Sequence, residues 1–405
     1  MSFVTIYTIW GKEISSPILI MKSVTHYFDA AKYRFNTHLY KRKGWRTKRH
    51  IVVFESDDWG SVRMPSTYAL NRLLSKGIKL FPELGYDRYD TLATSDDLEC
   101  LFEVLESVKD DKGNPAIITL NCVMANPDFK RIKESGYKEY YYEPFITTLQ
   151  NTKGCESSFK LWCEGRERRL LQPQFHGREH LNVPLWLRLL QQGNQSVLDS
   201  FEEGVFSMTT KYDNKDIHCL SAFNAYSEAD YLFYENSIRE GLSMFNDVFG
   251  FESRSMIAPC YLWDVKIERI ANKCGIRYLQ GGLSQVHSHY ACFNKRAKCN
   301  QFRYVGEKNA LGQIYLTRNC SFEPSANRNQ GADYCLSQIK NAFELKKPAI
   351  VSVHRQNFIG ALDVSNRDNN LKEFSQLLNG ILQYYPDVEF MSSDELGRIL
   401  LNKIS

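Results

Sequence analysis

Short runs of apolar residues alternate along the chain with longer stretches in which apolar positions recur every three or four residues. The first pattern fits strands buried on both faces, and the second fits amphipathic helices. Strands are predicted at Ile51 to Ser56, Ala116 to Val123, Gln172 to Phe175, Ser255 to Ala258, Arg277 to Gln280, Ile314 to Thr317, Ala349 to Val353 and Val388 to Met391. Helices are predicted at Ser66 to Lys76, Ser95 to Lys109, Ser227 to Phe249, Asp264 to Cys274, Ala332 to Leu345, Asn370 to Tyr384 and Ser392 to Leu400. In "TSDDLE" and "SSDELG", Ser95 and Ser393 are placed to cap their helices. This alternation is the rhythm of an α/β fold with parallel strands. Two stretches break it: Asn126 to Arg169, with the tyrosine-rich "GYKEYYYEPF", and Ser284 to Gly312, rich in Cys, His and Asn. Both are expected to be functional loops or insertions, and the tyrosines suit either packing or stacking on sugar rings.

Composition narrows the class. A chain of 405 residues, 43% apolar and 24% charged, can bury a large core as one barrel-type domain with long insertions or as two or three smaller ones. Its net charge of +4 gives no reason to expect a nucleic acid partner. There is no run of eighteen apolar residues to span a bilayer. The opening "MSFVTIYTIWGKEISSPILIM" is interrupted by Lys12 and Glu13 before a signal-like core forms, so it is expected to be retained. Eleven cysteines without paired spacing suggest free thiols in a reducing compartment, with the cytoplasm as the default. Basic residues cluster in "KRKGWRTKR", Lys41 to Arg49. A solvated linker is the plainer reading, and docking to an anionic membrane surface or lipid-linked carrier is the alternative. Residues 1–49 are accordingly separated as a basic arm from a main body at 50–405.

Candidate chemistry gathers at strand ends. "FESDDWGS" puts Asp57 and Asp58 side by side after an apolar run, where adjacent carboxylates need a cation or a proton to offset their repulsion. "PQFHGREHLNVP" places His176 and His180 four residues apart after another strand, and on a helix the two rings would lie about 5 to 6 Å apart, within chelating reach of one ion. "IVSVHRQNF" ends a third strand in His354. In parallel α/β folds the carboxyl ends of strands form the active face, so these residues can converge despite their separation.

Together these segments resemble the polysaccharide deacetylase family, the metal-dependent carbohydrate esterases that include nodulation-factor and chitin deacetylases. "SDDW", "HGREH", "IAPCYLW" and "VSVH" match its paired-aspartate, H-x-x-x-H, proline-loop and late-histidine motifs in chain order, from about Ile51 to about Met391. The resemblance implies a distorted (β/α)7 barrel with loop insertions near 126–169 and 284–312. It also implies a divalent metal, most simply Zn²⁺, held by Asp58, His176 and His180, with Asp57 as catalytic base and His354 as general acid. The loop at Pro259 and Cys260 would offer a backbone N–H to the oxyanion, and Tyr261, Trp59 and Arg318 are the further residues expected on the substrate side. The implied activity is removal of an N-acetyl or similar group from an amino sugar or polysaccharide precursor.

The sequence departs from that family where an arginine should precede the proline loop: the position is Ile257. Arg254, Arg178, Arg318 and Arg355 are the candidates to supply the cation from elsewhere. The family's aspartate between the proline loop and the late histidine has no clean counterpart either, although Arg318 and Glu323 in "LTRNCSFEPS" could reach the cleft. Rival readings remain. "HGREH" also spells H-x-x-E-H, a zinc protease pattern with Glu179 as base, provided the segment is one continuous helix. A carbohydrate-binding barrel that keeps its metal without turnover is the non-catalytic alternative. A second metal site at His287, His289, Cys292 and Cys299 lacks the tight spacing of structural zinc knuckles, and a plain loop is expected there.

Overall fold

The computed structural model describes residues 33, 35–294 and 299–404, so the hydrophobic opening of the chain lies outside the described residues. Every strand expected from the apolar runs is present. β1 (Ile51–Trp59), β2 (Ile118–Cys122), β3 (Leu171–Phe175), β4 (Ser255–Ile257), β5 (Tyr278–Gly281) and β6 (Ile314–Thr317) pair in succession, all parallel. On its other edge β1 pairs in parallel with β8 (Ala349–His354), and β8 with β7 (Cys320–Ser321). β9 (Glu389–Phe390) pairs only with the first residues of β1.

Arg318 and Asn319 alone separate β6 from β7. The Arg318 N–H donates to Gly281 O at 2.8 Å, and the Asn319 N–H to Ile350 O at 3.0 Å. A single extended segment therefore pairs with β5 through its first half and with β8 through its second. With β6 and β7 counted as that one segment, the ring is a distorted barrel of seven parallel strands.

The pleat then explains what fills the ring, since alternate residues of a strand share a face. Ile51 and Val53 of β1, Tyr278 of β5, Ile314 and Leu316 around β6 and Ile350 of β8 form one buried cluster, closed from below by Leu396 and Leu400 of the helix Ser393–Ile404. The next inward positions are polar. Glu55 accepts from Ser393 Oγ at 2.7 Å, Thr119 Oγ1 accepts the Ser393 N–H at 2.9 Å, and Ser255 Oγ donates to Gln174 at 2.8 Å while accepting from Gln280 at 3.0 Å. An apolar floor thus carries a hydrogen-bonded storey, on which the strand ends open. The outward set of β1, Val52 and Phe54, packs instead in the main core, with residues of the helices that flank the sheet.

Two expectations are corrected by this structure. The caps lie one residue earlier than predicted: Thr94 makes a reciprocal capping box with Asp97, and at the helix Ser393–Ile404 it is the Ser392 N–H that donates to Glu395, while Ser393 is spent on Glu55. The insertion 126–169 is also ordered, with an antiparallel pair Ala125–Pro127/Tyr142–Pro144 and helices Phe129–Glu134, Phe145–Asn151 and Ser158–Glu167. Pieces this short leave no clear period in sequence. Helix Val183–Gln191 was not foreseen, because Pro184 reads as a breaker; it occupies the first turn, where its missing N–H costs nothing.

Basic residues 41–49 are partly folded onto the strand-start end of the barrel, away from the strand ends. Lys347 Nζ donates to the Gly44 and Trp45 carbonyls at 2.7 and 2.8 Å, and Arg49 pairs with Glu389. Among the described residues no helix is long and apolar enough to cross a membrane, and all eleven cysteines are free thiols.

Candidate metal and acid–base site

An undistorted strand would send Asp57 inward and Asp58 outward. Asp57 follows that rule, in line with Val53 and Glu55. Asp58 does not: its φ of 74° and a register shift between Ser56 and Trp59 turn its carboxylate back toward the strand ends. Left-handed backbone is uncommon for a residue with a side chain and costs on the order of 1 kcal/mol or more. Gly60, with φ of 90°, completes the turn, and a Cβ there would meet Val123 O at 2.5 Å. The same distortion takes Trp59 away from the cavity. Its ring is 1% exposed, donates to Ser56 Oγ at 2.8 Å and meets Trp162 edge-on, so the structure places it in the core, not on the substrate side.

The redirected Asp58 carboxylate faces two imidazoles. His176 Nε2 lies 3.2 Å and His180 Nε2 3.3 Å from Asp58 Oδ1. Their donor atoms lie within 4.8 Å of one another, the only such buried cluster among the described residues. His176 Nδ1 lies 2.9 Å from Ile257 O and donates to it, which leaves the Nε2 lone pair directed at the cluster. The pair is not helical, contrary to the spacing argument. Residues 176–182 form a loop turned by Gly177 (φ 111°), and the helix begins only at Val183, capped by Asn182. The rings still meet at 5.1 Å between centroids. Without a helix the H-x-x-E-H protease reading loses its frame. Glu179 is held by Arg178 at 2.6 Å and accepts from Ser237 Oγ at 3.1 Å.

Asp57 answers to a different neighbour. Arg318, projecting from the segment that closes the ring, forks onto it with Nη1 to Oδ2 at 2.6 Å and Nη2 to Oδ1 at 2.7 Å, while Asn121 donates to Oδ1 at 2.7 Å. The same guanidinium reaches Glu55 through Nε at 2.6 Å, Tyr261 Oη at 3.0 Å and Ser352 Oγ at 3.1 Å. Of the four candidate arginines, Arg318 is therefore the one that pairs with Asp57. Arg355 is buried against Asp90 and Arg178 against Glu179, whereas Arg254 pairs with Glu252 on the surface.

Facing Asp57 is His354, its register partner across β1 and β8, with Nε2 at 3.8 Å from Asp57 Oδ2. Its Nδ1 contacts Glu323 at 2.6 Å, and Glu323 also accepts from Asn357 at 2.8 Å. Glu323 thus supplies the acidic partner that the sequence did not reveal as a motif, because it sits in an irregular turn after β7. The electrostatics follow this geometry. Burial resists ionisation of Asp57 and Asp58, yet Arg318 holds Asp57 below the ordinary carboxylate value, and His180 with His176 holds Asp58 well below it. Burial lowers His180 to about 4, a neutral ring fit for ligation. Burial also opposes a charge on His354, but Glu323 outweighs it and raises the imidazole to about 9.

Asp57, Asp58, His176, His180 and His354 line one cavity of about 340 Å³, walled also by Phe81, Tyr86, Cys260 and Tyr261. Cys260 and Tyr261 take left-handed φ values of 57° and 53°, and the Tyr261 hydroxyl is engaged by Arg318. Pro259, which precedes them, is buried. Arg318 itself is 4% exposed and saturated by protein partners, so it positions Asp57 and does not offer itself to substrate. Tyr140 and Tyr142 of the tyrosine cluster pack around Arg178, whose guanidinium lies 4.4 Å from the Tyr142 ring centre, and do not line the cavity.

The donor set fits a divalent cation: one carboxylate and two imidazoles, buried, mutually adjacent, with one histidine tautomer fixed by a backbone carbonyl.

No protein-family model matches the chain, and no curated protein matches it. Among solved structures, similarity extends to a 4-α-glucanotransferase from Thermococcus litoralis (10% identity, TM-score 0.44, 86% of this chain and 40% of that one). It also extends to an allantoinase (11%, 0.43, 87% and 91%) and to a "probable polysaccharide deacetylase" from Pseudomonas aeruginosa (10%, 0.42, 87% and 91%). The chain spans less than half of the glucanotransferase. Likeness this distant carries no argument about chemistry, which rests on the site's own geometry.

Proposed function

We propose that this protein is a metal-dependent hydrolase that removes an acyl group from the nitrogen of an amino sugar, within a precursor of a surface polysaccharide. One observation carries the reading: a carboxylate paired with a buried guanidinium and an imidazole paired with a buried carboxylate stand beside the one buried Asp–His–His cluster among the described residues. Asp58, His176 and His180 would hold the cation, with Zn²⁺ the simplest candidate for this N/O set; when bound, it supplies Lewis acidity toward an acyl oxygen and lowers the pKa of water. Asp57 takes the proton of the attacking water, since the Arg318 fork fixes its orientation and Asn121 occupies an oxygen that would otherwise rotate. His354 gives its proton to the departing nitrogen, and Glu323 keeps the ring charged and in place. Phe81, Tyr86 and Tyr261 provide flat apolar faces suited to a sugar ring.

A binding barrel without turnover is motivated by the missing arginine at Ile257, and Arg318 removes that motive. The reading is tested with purified protein: one equivalent of divalent cation is expected, lost in His176→Ala. Asp57→Asn should retain the metal and lose amine release from N-acetylated sugars by about 10²- to 10⁴-fold. Metal-loaded wild type that releases no amine from any N-acylated amino sugar would refute it.

A further inference from the structure

The cavity wall carries a guanidinium, that of Arg63, that the proposed chemistry does not use. Arg63 follows the β1 turn, and its backbone is pinned on both sides: the Val62 N–H donates to Asn126 Oδ1 at 2.8 Å and the Met64 N–H to Asp90 O at 2.9 Å. Its side chain is 15% exposed and lines the cavity together with Asp57 and Asp58. The guanidinium stacks on Tyr86 at 4.9 Å from the ring centre, which fixes its plane. Among the described residues its one hydrogen bond is through Nε, to Asp87 Oδ1 at 3.1 Å.

Asp87 is a backstop and not a competitor. It is 1% exposed, with Oδ1 shared by Ser207 Oγ at 2.9 Å and Oδ2 taken by the Phe81 N–H at 2.9 Å. Arg63 is therefore anchored through Nε while both Nη groups stay uncommitted, the arrangement in which a guanidinium fork meets two oxygens of one planar or tetrahedral anion. Beside it His218 lines the same cavity, and its Nδ1 accepts the Leu220 N–H at 3.3 Å, so its Nε2–H is the remaining donor.

Building on the deacylase reading, we infer that the substrate carries an oxyanion, a carboxylate or a phosphate, on or next to the acylated sugar, and that Arg63 binds it with His218 as a second donor. The anion is then held at Arg63 while the amide nitrogen is presented to His354, with Tyr86 touching both side chains. Nothing in the hydrolysis itself requires Arg63, so it acts on specificity.

The experiment compares three probes in the metal-loaded protein: N-acetylglucosamine, its 1-phosphate, and N-acetylglucosaminuronate. Wild type should favour at least one anionic probe over the neutral sugar by about 10- to 100-fold in kcat/KM, carried mainly by KM, as expected for a paired charge-assisted contact. In Arg63→Gln that ratio should fall toward one, and Arg63→Lys should recover part of it. The arm with the larger ratio distinguishes phosphate from carboxylate. Equal use of neutral and anionic probes by wild type, or a ratio unchanged in Arg63→Gln, overturns the inference. Calorimetric binding of the same probes to metal-loaded Asp57→Asn keeps the two proposals separable: anion preference dependent on Arg63 with no turnover in wild type would refute the deacylase reading alone, whereas turnover without anion preference would refute the subsite alone.

Discussion

The two walls of the cavity are built by different means. On the β1–β3 side, Asp58, His176 and His180 are aimed by backbone: a left-handed aspartate, a register shift, a glycine turn and one histidine pinned to a carbonyl. On the β6–β8 side, Asp57, Glu55, Arg318, Glu323 and His354 are held by charge, in buried pairs that lock one another. Adjacent residues of one strand thus belong to opposite systems. A cation site needs neutral rings and a free carboxylate, so the chain shapes it sterically. The acid–base pair proposed for Asp57 and His354 needs each proton fixed, and there the chain relies on charge.

The largest effect should come from breaking the charged wall. Arg318→Met leaves Glu55 and Asp57 buried without their shared cation, and should lower stability by about 3–5 kcal/mol in denaturant unfolding of the metal-free protein. A loss below about 1 kcal/mol would mean that the wall is not held by charge.

The next effect separates the walls by pH. His354 is raised to about 9 in the folded protein, against about 6.5 for an unfolded histidine. A raised pKa adds stability that is complete below about 6.5 and lost as pH climbs through about 9, worth at most about 3 kcal/mol. Metal-free wild type should therefore lose melting temperature across that window, and His354→Gln should flatten the slope. Parallel profiles would remove the Glu323 pairing as its source.

The smallest effect belongs to the other wall. With His180 held neutral at about 4, His180→Gln in the metal-free protein should cost no more than about 1 kcal/mol near neutral pH, while metal affinity collapses in equilibrium dialysis. A large apo-state cost would show that this wall too depends on its charges.

Much of this was legible in sequence. The eight apolar runs gave the strands because parallel strands are buried on both faces, and the strand-end positions of Asp57, Asp58, His176 and His354 followed from that. What stayed hidden is of two kinds. The direction of Asp58 and Trp59 depends on a bulge, which shifts the pleat without changing composition. The role of Arg318 depends on ring closure, which brings it to Asp57 across 261 residues. The four candidate arginines differ in where the fold puts them, and no local pattern carries that. The histidine pair was found by its spacing but for a helical reason that the glycine turn replaces.

The extended segment at 314–321 has a consequence of its own. Arg318 and Asn319 are the two positions at which that segment exchanges one neighbour for the other, so the seam of the cylinder and the counter-ion of Asp57 are the same stretch of backbone. Local fraying there would unlatch the ring and free Asp57, the proposed base, from its counter-ion in one event. The Arg318 and Asn319 amides should then exchange with solvent in step with loss of turnover, which makes this seam a natural fuse between folding and activity.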